Sequence, residues 1–451
     1  MLFFKLINTL REDPLLDKVI RNSLHLFSSN GLSLVLSFLM GILSARLLGA
    51  SGFGLVGLVM GYASTVNSLL SFRMSELVVR YGGEYIERNE KGKASALIKA
   101  AGLTEALVSI LAFILVLLTS GLASQYISKI PQTAWMFSLF ALGLLANFNY
   151  ETSIGILQIT DKIKFQGTVN LIQSIVGVLV IGIAFIWGGG VTIVLLAYLL
   201  GKAILGLGIF ILAQIQLKLV LGSGWWRVPF KVIPSYRDLT RFAISSNVSA
   251  TIIKIFRESE ILWVGFFLSS AAAGYYKAAY TIIGLVSVVI DPLVATVYPE
   301  LNRLIVQKAW PSLRNFLRRV TTLAFTINMA IGVGIILFGR LILTVYGGEE
   351  FVVAYPALLA LFVGLAFNYT LFWNRPLLLS FGLPDFPIWV TLIAGLVKVT
   401  LAFWLVPQFG ILAAGALLSY YYIASVGIMA LRGMKEISSQ SKNKYLGEQL
   451  A

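Results

Sequence analysis

Long uninterrupted apolar runs constrain the fold of this chain more than any other feature of its sequence. A helix needs about 20 apolar residues to cross the hydrocarbon core of a bilayer, and the 451 residues contain twelve such runs. The strands of a membrane barrel would alternate apolar and polar residues, which these runs do not. The sequence therefore predicts an all-α polytopic membrane protein, since helices satisfy their own backbone hydrogen bonds in lipid. The predicted spans are 24–46, 54–79, 101–120, 133–157, 168–187, 191–216, 241–267, 274–297, 320–342, 354–376, 386–406 and 410–431.

The composition excludes several other classes of protein. Hydrophobic residues make up 58% of the chain and charged residues 12%, whereas soluble domains carry about 25% charged residues. A soluble enzyme, a disordered chain and a single-span receptor are therefore excluded. The absence of cysteine, with His25 as the single histidine, excludes disulfides, iron–sulfur clusters and histidine-built metal sites. No P-loop is present, and we expect no cofactor.

The positive residues predict the orientation of the spans. The net charge is +15, which in a soluble protein would suggest nucleic acid, but in a membrane protein is typical of cytoplasmic loops. With both termini inside, the cytoplasmic segments hold 27 of the 35 Lys and Arg residues and the outer segments hold 3. This bias predicts a multi-pass protein of the cell membrane with both termini cytoplasmic and no nucleic-acid partner.

The spans fall into two groups of six that resemble each other. Ala-Ser-Gly-Phe-Gly at 50–54 follows the first span, and Ala-Ala-Gly-Tyr-Tyr at 272–276 follows the seventh. The separation between these two segments, applied further along the chain, aligns later spans of the first group with later spans of the second. Six spans per repeat give both halves the same orientation, which predicts two parallel six-helix lobes. The predicted segments are an amphipathic N-terminal segment (1–23), the N-lobe (24–216), a cytoplasmic linker (217–240), the C-lobe (241–431) and a cytoplasmic tail (432–451).

Charged residues inside the predicted spans mark the candidate site, because such charges usually face a cavity or a transport pathway. Seven lie deep, and their net charge is +3; these are Lys202, Lys254, Arg257, Glu258, Glu260, Lys277 and Lys398. A cationic cavity favours an anionic ligand such as a phosphate or a diphosphate. The five cations are therefore candidate ligands for a diphosphate, and the two acids are candidates for coupling to an ion.

A structural interpretation of the same charges stays open. Lys254 with Glu258 and Arg257 with Glu260 could form structural ion pairs, while single lysines such as Lys277 extend toward the membrane surface. Four of the five cations lie in the second half of the chain, so a cationic site would be asymmetric.

Several stretches resemble the Wzx-type oligosaccharide flippases of the multidrug/oligosaccharidyl-lipid/polysaccharide (MOP) superfamily. The segments are 45–54, which reads ARLLGASGFG, 262–267, which reads LWVGFF, and 273–280, which reads AGYYKAAY. The resemblance implies a V-shaped fold of two six-helix lobes around a central cationic cavity. It also implies alternating access that moves a polyprenyl-diphosphate-linked glycan between leaflets. Arg257 and Glu258 match the family's charged position in the seventh span.

The residues and the resemblance together predict a flippase for a lipid-linked oligosaccharide that serves surface polysaccharide synthesis without covalent chemistry. Its expected partners are the polyprenyl-diphosphate-linked glycan, membrane lipids and, in the same pathway, a glycan polymerase or glycosyltransferases. One alternative is a cation-coupled multidrug exporter on the same fold, which the positive interior disfavours. A glycan polymerase or ligase would need a large outer loop that the sequence lacks, and a scaffold would leave the deep charges unexplained.

Overall fold

The computed structural model describes residues 14–71, 73–232, 251, 254–256 and 259–450 of the chain. All regular secondary structure in these residues is helical, and none of them forms a strand. The all-α prediction is therefore confirmed. The chain divides into two compact units, one of Ser33–Gly274 and the other of Tyr275–Ala451 together with the start of the chain through Leu32.

The unit of Ser33–Gly274 is built from long apolar helices joined by short turns. Its buried core is formed by side chains such as Val56, Val116, Phe137 and Phe140, which come from three helices. The helices are α1 (Pro14–Leu70), α2 (Met74–Leu77), α3 (Gly83–Glu87), α4 (Lys91–Leu122), α5 (Ala134–Ala146), α6 (Tyr150–Ile159), α7 (Lys164–Ile186), α8 (Val191–Leu221) and α9 (Glu260–Phe267).

The second unit repeats this pattern with fewer and longer helices. Its core includes the fully buried side chains Tyr346, Phe351, Leu361 and Tyr421. The helices are α10 (Ser270–Val306), α11 (Trp310–Gly347), α12 (Tyr355–Thr370), α13 (Asn374–Ser380) and α14 (Asp385–Leu450).

Seven helical stretches in the described part of the chain are long and apolar enough to cross a membrane. Two of them each contain a kink at a glycine with positive φ, Gly49 in α1 and Gly410 in α14. These glycines lie at the predicted boundaries between spans 1 and 2 and between spans 11 and 12. The chain is thus a multi-pass membrane protein, and the count of twelve spans stays a prediction.

Predicted spans 4 and 10 are not continuous helices. Span 4 is interrupted at 147–149, between α5 and α6, and span 10 at 371–373, between α12 and α13. Non-helical backbone at membrane depth is stable only where protein or a polar cavity surrounds it. Both interruptions therefore need polar partners from neighbouring helices.

The turns of the two halves match each other in backbone conformation. Asn89, Asp161 and Gly188 of the first half have positive φ. Each of these three has a counterpart with positive φ in the second half, and the separation along the chain is nearly the same for each pair. The counterparts are, in the same order, Lys308, Gly382 and Gly410. Few residues adopt this conformation, so the matching positions support the internal repeat inferred from the sequence.

The start of α10 packs closely against α1. A Cβ atom on Gly54 would lie 1.8 Å from the carbonyl oxygen of Ser270, and one on Gly274 would lie 2.0 Å from that of Ala50. Nearby, Lys129 Nζ donates a hydrogen bond to the carbonyl oxygen of Leu268. The turn after span 1 and the turn before span 8 are therefore in backbone contact within the unit of Ser33–Gly274.

The lobe boundary predicted at 217–240 differs from the boundary between the compact units. Helix α9 belongs to the predicted C-lobe by its position in the sequence, and in the structure it lies within the unit of Ser33–Gly274. A Cβ atom on Gly265 of α9 would lie 2.5 Å from a methyl carbon of Leu58 in α1. The division into two six-helix lobes accordingly stays a prediction.

Candidate functional site

Lys202 lies in the middle of α8, between helices of the first unit. Gly143 of α5 leaves room for its stem, since a Cβ atom there would lie 3.0 Å from Lys202 Cδ. The Nζ atom of Lys202 is 5.9 Å from the ring centroid of Phe140, within the range of a cation–π contact. The structure therefore holds this ammonium group among apolar and aromatic side chains.

Lys254 is the second predicted site residue that this unit contains. Its side chain is exposed, and its positive charge acts on Lys202. Two of the five predicted cations therefore lie in the same unit.

The acidic candidates of span 7 are only partly described. Glu260 is the first residue of α9, and its side chain is 5% exposed. A carboxylate in the first turn of a helix is stabilised by the helix dipole, so a structural role for Glu260 is consistent with its position. Arg257 and Glu258 lie outside the described residues.

Lys277 and Lys398 both lie in the second unit. The Nζ atom of Lys277, near the start of α10, is shielded from solvent. Lys398 is 2% exposed, with its Nζ atom 5.3 Å from the ring centroid of Tyr421. The roles of both residues in ligand binding stay predictions.

Two acids outside the predicted site form a polar pocket at the interruption of span 4. Glu105 of α4 is 6% exposed, and its carboxylate accepts the backbone N–H groups of Glu151 and Thr152 at 2.7 and 2.8 Å. The carboxylate of Glu151 accepts a hydrogen bond from Ser75 Oγ at 2.6 Å. Glu105 therefore caps the first turn of α6 from a neighbouring helix.

The sequence shows the two acids of this pocket, but it does not show the contacts that bring them together. Both acids could be placed near the cytoplasmic ends of spans 3 and 4. Apolar periodicity does not report an interruption inside a span, so it did not reveal which backbone groups these acids would bind.

The interruption of span 10 is held in a similar way by amides. Asn328 of α11 is 2% exposed and donates through Nδ2 to the carbonyl oxygen of Ala366 at 3.3 Å and to Thr370 Oγ1 at 3.1 Å. Asn374, the first residue of α13, donates to the carbonyl oxygen of Leu371. Each half of the chain thus uses a polar residue of its third span to hold its interrupted fourth span.

Comparisons with known proteins identify the family. Residues 19–305 match the family described as polysaccharide biosynthesis protein. The inner membrane protein YghQ of Escherichia coli (strain K12) is 21% identical over 342 residues, which cover 75% of this chain and 94% of that protein.

Two solved structures share the fold. An inward-facing MATE family multidrug resistance transporter of the MOP superfamily matches with a TM-score of 0.74 and 15% identity, covering 91% of this chain and 96% of its own. The lipid II flippase MurJ in an inward closed conformation matches with a TM-score of 0.70 and 15% identity, covering 93% and 91%. The chain belongs to the polysaccharide biosynthesis protein family.

Proposed function

We propose that this protein moves an oligosaccharide linked to polyprenyl diphosphate from the cytoplasmic to the outer leaflet of the cell membrane by alternating access. The family description indicates a role in polysaccharide synthesis. A protein of similar fold is described as a lipid II flippase, which supports a lipid-linked glycan as cargo.

The positive charges of Lys202 and Lys254, which act on each other within one unit, carry the proposal. Lys202 lies among apolar and aromatic side chains, where a positive charge is weakly screened. A diphosphate that reached both ammonium groups would accept a charge-assisted hydrogen bond from each of them. Lys202 and Lys254 are therefore the residues that we assign to the diphosphate, and Arg257, Lys277 and Lys398 stay predicted contributors.

The orientation of the spans fits a cargo made on the inside. Both termini are proposed to be cytoplasmic, where glycosyltransferases would assemble the glycan on its lipid. The lipid tail would remain among membrane lipids while the sugar crosses, and a glycan polymerase would receive the product outside.

A cation-coupled multidrug exporter is the nearest alternative, because a MATE transporter shares the fold. Lys202 and Lys254 oppose it, since a cationic drug would add a further positive charge to a unit that already contains these two.

Lipid vesicles containing the purified full-length protein test the proposal. The probe is a fluorescent polyprenyl-diphosphate oligosaccharide, and its appearance in the opposite leaflet is measured with a membrane-impermeant quencher. We expect Lys202→Met and Lys254→Met each to slow flipping by about tenfold or more, since a hydrogen bond to a charged group contributes about 1.5–3 kcal/mol.

Lys218→Met is the matched control, because Lys218 is exposed at the end of the same helix as Lys202. Its flipping rate should equal that of the unmodified protein. Unchanged flipping in both Lys202→Met and Lys254→Met would contradict the assignment of this pair to the diphosphate.

A further inference from the structure

We propose that a row of amide side chains on α7 binds hydroxyl groups of the sugar part of the cargo, an inference that rests on the function proposed above. The amide row consists of Gln166, Asn170 and Gln173. These residues are four and three positions apart, so they lie on one face of the helix. The row extends for about 10 Å along the helix axis, at 1.5 Å per residue.

The amide row faces away from lipid. The exposed side chains of α7 form a stripe on another face of the helix; they are Thr168, Ile172, Ile175, Leu179 and Ile183. At 100° per residue, the stripe and the amide row are centred about 150° apart. The three amide side chains are nevertheless only half-buried. Their accessible part therefore does not face lipid, and polar groups in this setting usually line a water-filled cavity or a transport pathway.

Most of the hydrogen-bonding capacity of the amide row is not used between helices. Gln166 Nε2 donates to the hydroxyl of Tyr150 at 3.1 Å. The side chains of Asn170 and Gln173 form no hydrogen bond to another residue in the described part of the chain. Amides in membrane helices commonly hold helices together through such bonds, and these two amides do not, so they can bind a ligand.

Gln173 lies beside the helix that contains Lys202. A Cβ atom on Gly201, the residue before Lys202, would lie 3.1 Å from Gln173 Cγ and 3.3 Å from Gln173 Nε2. Gln173 and Lys202 are therefore at a similar depth in the unit of Ser33–Gly274. From this level the amide row extends toward Gln166, at the predicted cytoplasmic end of span 5. A diphosphate bound by Lys202 would leave its sugar within reach of the row.

The two kinds of side chain fit the two parts of one ligand. The ammonium group of Lys202 only donates hydrogen bonds, which suits the oxygens of a diphosphate. An amide both donates and accepts, as does a sugar hydroxyl. The amide row is uncharged, so we assign it to the sugar and not to the diphosphate.

The second half of the chain shows that the fold does not require amides at these positions. Gly188 and Gly410, which follow predicted spans 5 and 11, both have positive φ. Their separation along the chain aligns the amide row with Ile388, Leu392 and Gly395. The corresponding span of the repeat therefore contains only apolar side chains and a glycine at these positions, so helix packing alone does not explain the amides of α7.

Two probes separate recognition of the sugar from recognition of the diphosphate. One is the fluorescent polyprenyl-diphosphate oligosaccharide of the flipping assay, and the other is the same polyprenyl diphosphate without sugar. Dissociation constants are measured for both on the purified full-length protein. We expect Asn170→Leu and Gln173→Met each to weaken binding of the sugar-bearing probe by about three- to tenfold, through loss of a neutral hydrogen bond. Their binding of the sugar-free probe should equal that of the unmodified protein.

Thr168→Val is the matched control, because Thr168 is a polar residue on the lipid-facing stripe of the same helix. It should bind both probes as the unmodified protein does. Lys202→Met should weaken binding of both probes, since both carry the diphosphate. Asn170→Leu introduces the residue found at the corresponding position of the second half, so it should fold, which its melting temperature would verify.

The outcomes distinguish the sugar site from the proposed function. If the amide variants weaken both probes equally, or weaken neither, the sugar site is wrong and the proposed function is unaffected. Equal binding of the two probes by the unmodified protein would also overturn the sugar site. If the unmodified protein binds neither probe, the proposed function fails and the sugar site fails with it.

Discussion

Gly274 lies against the carbonyl oxygen of Ala50 so closely that a Cβ atom on Gly274 would come within 2.0 Å of that oxygen. We predict that Gly274→Ala destabilises the protein by about 1–3 kcal/mol, because a helix backbone must shift to admit the methyl group. The measurement is the melting temperature of the purified protein.

Gly284→Ala is the control for this prediction. Gly284 is on the same helix as Gly274, and a Cβ atom there would meet nothing within 4 Å. Its melting temperature should be unchanged or higher, since alanine favours a helix over glycine. Equal melting temperatures for the two variants would show that the close contact is not required.

Lys99 holds the segment that follows α8, which is predicted to be cytoplasmic. Its Nζ atom donates to the carbonyl oxygen of Val228 and lies 4.1 Å from the ring centroid of Phe230. We predict that Lys99→Met releases this segment, so that a protease added to inside-out vesicles cleaves it several times faster. Lys91→Met is the control, because Lys91 is exposed at the start of the same helix. Equal cleavage of both variants would contradict the role of Lys99.

Single cysteines test the predicted orientation, since the native chain has none. Tyr126 is 52% exposed near the end of span 3, and Trp226 is 54% exposed in the segment after span 6. We predict that a membrane-impermeant maleimide labels Tyr126→Cys in intact cells, and labels Trp226→Cys only after the membrane is opened. Labelling of Trp226→Cys in intact cells would contradict the cytoplasmic position of this segment.

Substitutions of Lys398 test whether a buried cation stabilises the second unit. Replacing a buried charge by an apolar side chain of similar volume is often neutral or stabilising. We therefore predict that Lys398→Met leaves the melting temperature unchanged or raises it, whereas Lys398→Ala lowers it by leaving a cavity. A marked loss of stability in Lys398→Met would show that the ammonium group itself holds this unit together.

The sequence was sufficient to predict the class of fold, because continuous apolar runs have few solutions in a bilayer. The predicted repeat is supported by Gly188 and Gly410, which have positive φ at corresponding positions of the two halves. Hydropathy did not predict the interruption of span 4, because the hydropathy of a segment contains no information on its backbone angles.

The candidate site stays a prediction. Charge alone selected Lys202 and Lys254, which lie in the same unit. Charge did not reveal the pocket at Glu105, because that pocket depends on contacts with backbone groups 46 and 47 residues further along the chain. It also could not reveal that Lys398 is almost fully buried.

The kinks at Gly49 and Gly410 have a consequence for how the protein is made. At each of them, two predicted spans are joined by a single residue with positive φ within one helical stretch. Such a joint contains no long polar segment that could remain in water while the second span is synthesised. Each pair must therefore leave the translocation channel as one hairpin, and a charge placed beside either glycine should impair membrane insertion before it affects transport.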